Sequence, residues 1–239
     1  MDIVNRPDVE LLSCTPDALN VIAASARQCY LPGRTSIRGT AAFDTAKFLW
    51  KLHDSGHMSV FEHASFTFLI SNASRACTHQ LVRHRMASYS QQSQRYITFD
   101  DCTFTLPESA KGNPDMEQLF TDAYTAALNA YKRLIESGVP AEDARYVLPS
   151  GVTSNIVTTM NFRELIHFCR ERMCCRAQWE IRHIANEMAD NVRKSVPYLS
   201  DFLRPKCHGL LYCPETHSCG RFPKRDAVEH NIINFMEQQ

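Results

Sequence analysis

The sequence predicts an α+β fold built as a single domain. Apolar residues recur at helical spacing in several long segments, and shorter segments alternate between apolar and polar residues as strands do. No internal repeat or low-complexity linker divides the 239 residues, and an apolar content of 44% can supply a core. We expect one domain over residues 1–205, followed by a Cys- and His-rich appendage over residues 206–239.

The N-terminal part predicts two helices. Thr15 and Pro16 are suited to be an N-cap and a first helical residue, and the helix that they begin should run to about Tyr30. The Leu-Pro-Gly turn of residues 31–33 ends it. A second helix is expected over residues 41–53.

A strand and a short helix come next. Residues 64–70 alternate in the manner of a half-buried strand. Asn72 or Ser74 then caps a short helix, which would place Gln80 and His84 on one face because they are four residues apart. The Ser- and Gln-rich residues that follow predict a loop.

The clearest helix lies in the middle of the chain. Residues 97–106 are strand-like, and Asn113 and Pro114 then begin a helix that ends near Gly138. Its apolar stripe predicts core packing and consists of Met116, Leu119, Phe120, Ala123, Ala127, Tyr131 and Leu134.

Strands and helices also alternate in the last third of the chain. Residues 146–149 and 154–160 predict two strands. Asn161, followed three residues later by Glu164, is close to a capping box that would start the next helix. Residues 177–196 predict one further long helix.

The charge and cysteine content narrow the class of protein. Lys plus Arg equals Asp plus Glu, at 26 each, whereas a nucleic-acid-binding protein of this size would normally carry a basic excess. No secretory signal is evident in the sequence. No run of about 18 apolar residues occurs, so we expect no membrane span. Ten cysteines without an export signal suggest reduced thiols and a cytoplasmic location.

The most unusual stretch runs from Gln80 to Tyr96. It contains Arg83-His84-Arg85 and many hydroxyl and amide side chains, and neither Lys nor an acid occurs between Ser71 and Phe99. Such a segment offers hydrogen-bond donors without competing carboxylates, which suits phosphates and other small anions. The alternative is a basic surface loop.

A second cationic cluster lies about seventy residues further along. A solvated helix face is the alternative interpretation of this cluster, which consists of His167, Arg170, Arg172 and Arg176. If both segments flank one cleft, that cleft binds phosphorylated ligands, and Tyr89 or Tyr96 could stack on planar rings. The residues alone support a nucleotide-binding protein and do not identify its reaction. A phosphate-handling enzyme is an alternative that stays open.

The residues also carry a resemblance. Arg83-His84-Arg85, seven intervening residues and then Ser93 resemble the signature of flavin-dependent thymidylate synthases. Further similar blocks occur at residues 57–63, 145–149 and 161–182. One departure is Ser90-Gln91, where many family members have Asn-Glu.

This resemblance implies a fold and a reaction. The fold would be a mixed or antiparallel sheet flanked by helices. The enzyme would methylate deoxyuridine monophosphate to thymidine monophosphate, with methylenetetrahydrofolate as the carbon donor, FAD as the hydride carrier and NADPH as the reductant. No cysteine nucleophile would be needed.

The resemblance also implies residue roles. FAD would contact His57, Arg83, His84, Arg85, Gln91, Asn161 and His167. The nucleotide would contact Gln80, Arg83, Gln91, Gln92, Ser93, Arg95, Arg145 and Arg172, and the expected catalytic residues are Arg83, Ser93 and Arg172. The family assembles as a homotetramer with shared sites, so Arg145 would reach the nucleotide of a neighbouring subunit.

The tail contains a possible metal site. Its candidate ligands are Cys207, Cys213, His217 and Cys219. Their spacing is irregular and includes no Cys-x-x-Cys pair, so free thiols are the favoured expectation and a structural zinc ion is the alternative.

Overall fold

The protein is an α+β structure whose main sheet is antiparallel. The computed structural model describes residues 2–31, 42–96 and 102–228. In chain order its strands are β1 (Asp2–Val4), β2 (Asp8–Cys14), β3 (Ser65–Ser74), β4 (Ala87–Gln91), β5 (Thr103–Thr105) and β6 (Thr153–Asn161). Four strands form one sheet in the order β2-β3-β6-β4, and β1 pairs with β5 in a separate parallel ladder.

Helices surround this sheet. They are α1 (Ala18–Gln28), α2 (Ala42–Asp54), α3 (Arg75–Leu81), α4 (Pro114–Glu136), α5 (Ala141–Ala144), α6 (Phe162–Arg172), α7 (Trp179–Ser195), α8 (Pro197–Ser200) and α9 (Lys206–Leu210). Two 3₁₀ segments span Met58–His63 and Arg145–Val147. None of the described helices is both long and apolar enough to cross a membrane.

The central strand β3 forms as its alternation predicts. Phe66, Phe68 and Ile70 are fully buried on the face that packs against the helices, while Ser65 on the other face is exposed. Burying each of these large side chains stabilises the fold by about 1.5–3 kcal/mol. The strand continues beyond the predicted residue 70, through a register shift at which Asn72 adopts a positive φ.

The main core joins the sheet to α1, α2, α6 and α7, and a smaller core lies beneath α4. Glu180 on α7 is buried and ties this helix to the start of α3. Its two carboxylate oxygens accept hydrogen bonds from the backbone N–H and the hydroxyl of Ser74, at 2.7 and 2.6 Å. Ser74, rather than Asn72, is the cap of α3, because its hydroxyl oxygen accepts from the Cys77 N–H.

The N-terminus differs from the sequence analysis in two ways. Strands β1 and β2 were not expected, since Asp8–Cys14 lacks strict alternation and forms an edge of the sheet. Helix α1 begins at Ala18, and Thr15 instead accepts a hydrogen bond from the Ser65 N–H at 2.9 Å. The predicted turn at residues 31–33 lies mostly outside the described residues, as does the predicted start of α2 at Ala41.

The predicted stripe on α4 is only partly buried. The helix forms and Asn113 caps it, but Met116 and Leu119 are 48% and 66% exposed. The helix rests on its core through Tyr124, Leu128 and Tyr131, so spacing located the helix and misplaced much of its buried face.

Other segments also differ from the predictions. Residues 146–149 do not form a strand, because a 3₁₀ turn ends there with the Leu148 N–H donating to the Arg145 carbonyl. The last long helix starts at Trp179, where the Gln178 side chain caps it, and not at residue 177. Of the predicted strand at residues 97–106, the structure describes Thr103–Thr105 as strand, and residues 97–101 lie outside the described part.

Candidate active site

The Arg-His-Arg triplet lies in a turn rather than on a helix. Helix α3 ends at Leu81, so His84 does not share a helical face with Gln80 as predicted. The Ser- and Gln-rich residues that follow form strand β4 and not a loop, because they pair with β6. The triplet is therefore held between two ordered elements.

Tyr89 on β4 fixes the shape of this turn. Its hydroxyl lies 2.9 Å from the Leu81 carbonyl and 2.8 Å from the His84 carbonyl. Burial, with a smaller contribution from Glu164, raises the pKa of Tyr89 to about 12, so the hydroxyl keeps its proton and donates. Tyr89 thus acts within the fold and is not free to stack on a ligand.

The triplet faces helix α6 across a cavity of about 650 Å³. A second cavity of about 370 Å³ shares Met86, Glu164 and His167 with the first. We call the two together the cleft. Its remaining lining residues are Arg83, His84, Arg85, Glu171 and Arg172 in the first part and Glu62, Asn161 and Arg163 in the second.

The predicted meeting of the two cationic segments therefore occurs. Arg83 and Arg85 come from the turn before β4, and Arg172 comes from the last turn of α6. Arg170 of the predicted cluster points elsewhere and lines a separate small cavity beside Phe202. One face of α6 thus belongs to the cleft and the other does not.

His84 links the turn to α6. The Arg172 Nε–H donates to His84 Nε2 at 3.0 Å, and His84 Nδ1 lies 3.3 Å from Glu164 Oε1. Since Nε2 accepts, Nδ1 carries the proton and points it at Glu164. Burial, followed by the charges of Arg172 and His167, lowers the pKa of His84 to about 4, so the ring is neutral.

Glu164 was not among the predicted site residues. Asn161 caps α6 as expected, with its side-chain oxygen accepting from the Glu164 N–H at 2.9 Å. The capping-box pattern would direct the Glu164 carboxylate back to the backbone, yet it contacts His84 instead. Burial raises the pKa of this carboxyl group. Sequence reasoning also missed the remaining cleft residues Glu62, Met86, Arg163 and Glu171.

A second polar group lies at the far end of β4. We call it the Ser93 patch, and it consists of Gln92, Ser93, Gln94, Arg95 and Arg145. Arg95 donates to a Glu142 carboxylate oxygen at 2.6 Å, and Arg145 donates to the Glu142 carbonyl at 2.9 Å. These contacts bring Arg95 and Arg145 together although they are far apart in sequence.

The Ser93 patch has unused binding capacity. The Gln94 Nε2 is buried and has no hydrogen-bond partner among the described residues. Arg75 lies close to Arg145, and burial together with that neighbouring charge lowers the pKa of Arg75. An unpaired donor and adjacent cations would be stabilised by an anionic ligand.

The cleft and the Ser93 patch lie at opposite ends of β4. The strand spans Ala87–Gln91, and a rise of about 3.4 Å per residue separates Met86 from Ser93 by roughly 20 Å. Within one chain, therefore, the structure does not bring Ser93, Arg95 and Arg145 to the Arg83 and Arg172 side chains.

Three other predicted residues lie outside the cleft. His57 is exposed and precedes the first 3₁₀ segment. Gln80 is close to its own helix, with Nε2 at 3.5 Å from the Ala76 carbonyl. Gln91 donates to the hydroxyls of Thr78 and Ser154, at 3.1 and 2.7 Å, and so supports the sheet.

Cysteine does not line either part of the cleft. Cys77 and Cys169 belong to the neighbouring helices α3 and α6, and burial raises the pKa of both thiols. Neither is therefore an activated nucleophile.

Comparisons with known proteins agree on one family. The family model described as thymidylate synthase complementing protein matches residues 10–198. A protein of Geobacter sulfurreducens named flavin-dependent thymidylate synthase is 48% identical over 218 residues, which are 89% of this chain and 94% of that protein. A protein of the same name from Nitratidesulfovibrio vulgaris is 42% identical over 93% of this chain and 98% of its own length.

Solved structures agree with the fold. A UMP/dUMP methylase, PolB from Streptomyces cacaoi, solved with 5-Br dUMP, superposes with a TM-score of 0.75 at 28% identity. The match covers 84% of this chain and 96% of PolB.

Proposed function

The chain belongs to the flavin-dependent thymidylate synthase family, and we propose that it methylates deoxyuridine monophosphate to thymidine monophosphate. Methylenetetrahydrofolate is the proposed carbon donor and NADPH the proposed reductant of a bound FAD. The observation that carries the proposal is the cleft, where two cationic segments distant in sequence face each other.

Arg83 and Arg172 are suited to the nucleotide. Each guanidinium offers several hydrogen-bond donors to phosphate oxygens. Negative charge that develops on the pyrimidine during methylation would be stabilised by the same two groups. Neutral His84 holds Arg172 through the Nε hydrogen bond and does so without adding a third positive charge.

The cleft fits a flavin nucleotide in size and charge. Volumes of about 650 and 370 Å³ fall within the range of cofactor pockets. The first turn of α6 lines the smaller cavity, and a helix N-terminus favours phosphate. His84, Arg85, Asn161 and His167 would hold FAD, which when bound supplies hydride to the forming methyl group.

The Ser93 patch would complete the site from a neighbouring subunit of a homotetramer. The backbone of β4 separates this patch from the cleft of the same chain by roughly 20 Å, which favours a neighbouring chain as the source of the patch. Exposed apolar side chains, among them Tyr96 and Tyr146 near the patch and Met116 and Leu119 on α4, support burial against other copies. Ser93, Arg95, Arg145 and the unpaired Gln94 amide would then meet the nucleotide.

Among the described residues none of the ten cysteines takes part in a disulfide. Reduced cysteine is typical of a reducing compartment, and the proposed location is the cytoplasm.

Binding measurements test the nucleotide assignment. Arg172→Ala should raise the Kd for deoxyuridine monophosphate by roughly 10- to 100-fold, because a charge-assisted hydrogen bond contributes about 1.5–3 kcal/mol. Purified protein should show the absorption spectrum of a bound flavin. Calorimetric titration and absorption spectroscopy give the two readouts.

Arg170→Ala is the matched control, since Arg170 lies on the same helix but faces away from the cleft. It should leave the Kd within about twofold of the unmodified protein. Equal losses in the two variants would place the nucleotide elsewhere, and colourless protein that takes up no added flavin would contradict the reaction.

A further inference from the structure

Five thiols line one small cavity beside the loop that follows α6. Cys174 and Cys175 come from the loop that follows α6, and Cys207, Cys213 and Cys219 come from the C-terminal segment. These are half of the cysteines in the chain, and they belong to two segments that are more than thirty residues apart. No step of the proposed reaction uses them.

The thiols are close enough to influence one another. Cys207 interacts electrostatically with both Cys174 and Cys213. Cys219 accepts hydrogen bonds from the backbone N–H of Arg221 and from the Cys175 thiol. All five thiols therefore lie close together around the cavity.

The cavity is large enough for one water molecule or one ion. Its volume is about 20 Å³, close to the minimum that admits a single water molecule. A space of this size favours a single ion over an organic ligand. Four thiolates around one ion are instead the usual environment of structural zinc.

The C-terminal segment lacks the apolar interior that would otherwise hold it in place. Between Lys206 and residue 228, Cys213 is the buried hydrophobic residue. Polar contacts fasten the segment: Lys206 pairs with Glu215 at 2.7 Å and with Glu171 on α6 at 3.4 Å, and Arg176 donates to the His217 carbonyl at 3.3 Å. Segments with so little core usually depend on a metal or a disulfide.

We propose that Cys174, Cys207, Cys213 and Cys219 bind one Zn²⁺ ion, which fastens the C-terminal segment to the loop after α6. Among the described residues no group of three or more His, Cys, Asp or Glu side chains is placed so that it could hold a metal ion as it stands. The Sγ atoms therefore turn inward on binding, and each ligating thiol releases its proton to solvent as its bond to zinc forms. A tetrahedral zinc ion takes four of the five thiols, and Cys175 stays outside as the hydrogen-bond donor to Cys219.

The site lies just beyond Arg172. Zinc would therefore fix the C-terminal end of α6, whose last turn carries that arginine into the cleft. This role is structural, and it holds whether or not the proposed methylation is correct.

Metal analysis of the full chain, purified without a histidine tag from zinc-supplemented medium, tests the proposal. Mass spectrometry of the dissolved metals should find about one zinc per chain. Cys207→Ser and Cys213→Ser should each retain less than about a tenth of that amount. Cys29→Ser is the matched control, because Cys29 is an exposed thiol outside the cavity, and it should retain the full amount.

A cobalt titration keeps the test decisive if those variants misfold. Zinc-stripped, otherwise unmodified protein should bind one Co²⁺ per chain and develop sulfur-to-cobalt charge-transfer bands together with the intense visible bands of tetrahedral coordination. Protein that binds neither zinc nor cobalt would overturn the proposal. So would a Cys175–Cys219 disulfide in the non-reduced protein, found by peptide mass spectrometry.

Discussion

His84 can serve Arg172 only while its ring is neutral. Protonation of Nε2 would remove the acceptor for the Arg172 Nε–H and would place two cations 3.0 Å apart. Glu164 keeps the proton on Nδ1, so a buried acid at one end of the ring helps to fix a cation at the other. His84 thus positions Arg172, the arginine that we propose binds the nucleotide.

This arrangement predicts a pH-dependent stability. The pKa of His84 is about 4 in the folded protein, against an ordinary value of 6.5. Between these values the unfolded chain binds a proton that the folded chain does not, so stability decreases as the pH falls from 6.5 towards 4. Urea unfolding at pH 7 and pH 5 should therefore show a larger loss for the unmodified protein than for His84→Gln.

Glutamine keeps a neutral acceptor and cannot be protonated, so the variant isolates the titration of one ring. His63→Gln is the control, because His63 is exposed and outside the cleft, and its pH dependence should match that of the unmodified protein. Identical pH dependence for the His84→Gln variant and the unmodified protein would contradict the buried neutral ring.

Some residues of the cleft could be predicted from the sequence and others could not. Arg83 and Arg85 could be recognised because their segment is rich in arginine and contains no acid, and Arg172 because it belongs to a second cationic cluster. All three line one cleft. Glu164 could not, since its spacing from Asn161 equally fits a helix cap. Only the approach of α6 to the turn decides which partner its carboxylate takes.

Strand β4 shows the corresponding limit for whole elements. Its sequence, Ala-Ser-Tyr-Ser-Gln, has a low strand propensity, and pairing with β6 overrides that preference. Strand β3 was predictable because its alternation reports burial directly. Helix α4 was predictable in extent but not in its buried face, which depends on what it packs against.

Tyr89 connects β4 to the turn that carries the triplet. Tyr89→Phe removes the hydroxyl that bonds the Leu81 and His84 carbonyls, at a cost of about 1 kcal/mol. Because the turn loosens, the Kd for deoxyuridine monophosphate should rise by about fivefold, while the helix content stays unchanged.

Calorimetry and circular dichroism measure these two effects. Tyr30→Phe, at an exposed tyrosine, should change neither. If Tyr89→Phe binds the nucleotide as tightly as the unmodified protein, the turn does not need the hydroxyl.

At the scale of the whole molecule, the two halves of the predicted site are separated by a rigid strand. Local sequence could identify both halves, because each carries its own arginines. It could not reveal that they diverge within one chain, since that follows from the direction of β4 and its pairing with β6. The proposed homotetramer would resolve the conflict, because a neighbouring Ser93 patch could then face each cleft.

Subunit complementation tests this shared site. Arg172→Ala damages the cleft and Ser93→Ala damages the Ser93 patch, so each variant alone should bind nucleotide weakly and turn over slowly while retaining flavin. Coexpressed in equal amounts, the two chains form mixed tetramers, and about a quarter of the sites then combine an intact cleft with an intact patch. The activity of the mixed tetramers should rise towards about a quarter of the activity of the unmodified enzyme.

Pairing Arg172→Ala with Arg83→Ala is the internal control, because both residues lie in the cleft of one chain and no mixed site can be repaired. Its activity should stay at the level of the separate variants. If Arg172→Ala and Ser93→Ala also fail to complement, although size-exclusion and mass measurements confirm mixed tetramers, the nucleotide does not bind between a cleft and a neighbouring patch. The 20 Å separation within the chain would then require β4 itself to move on binding.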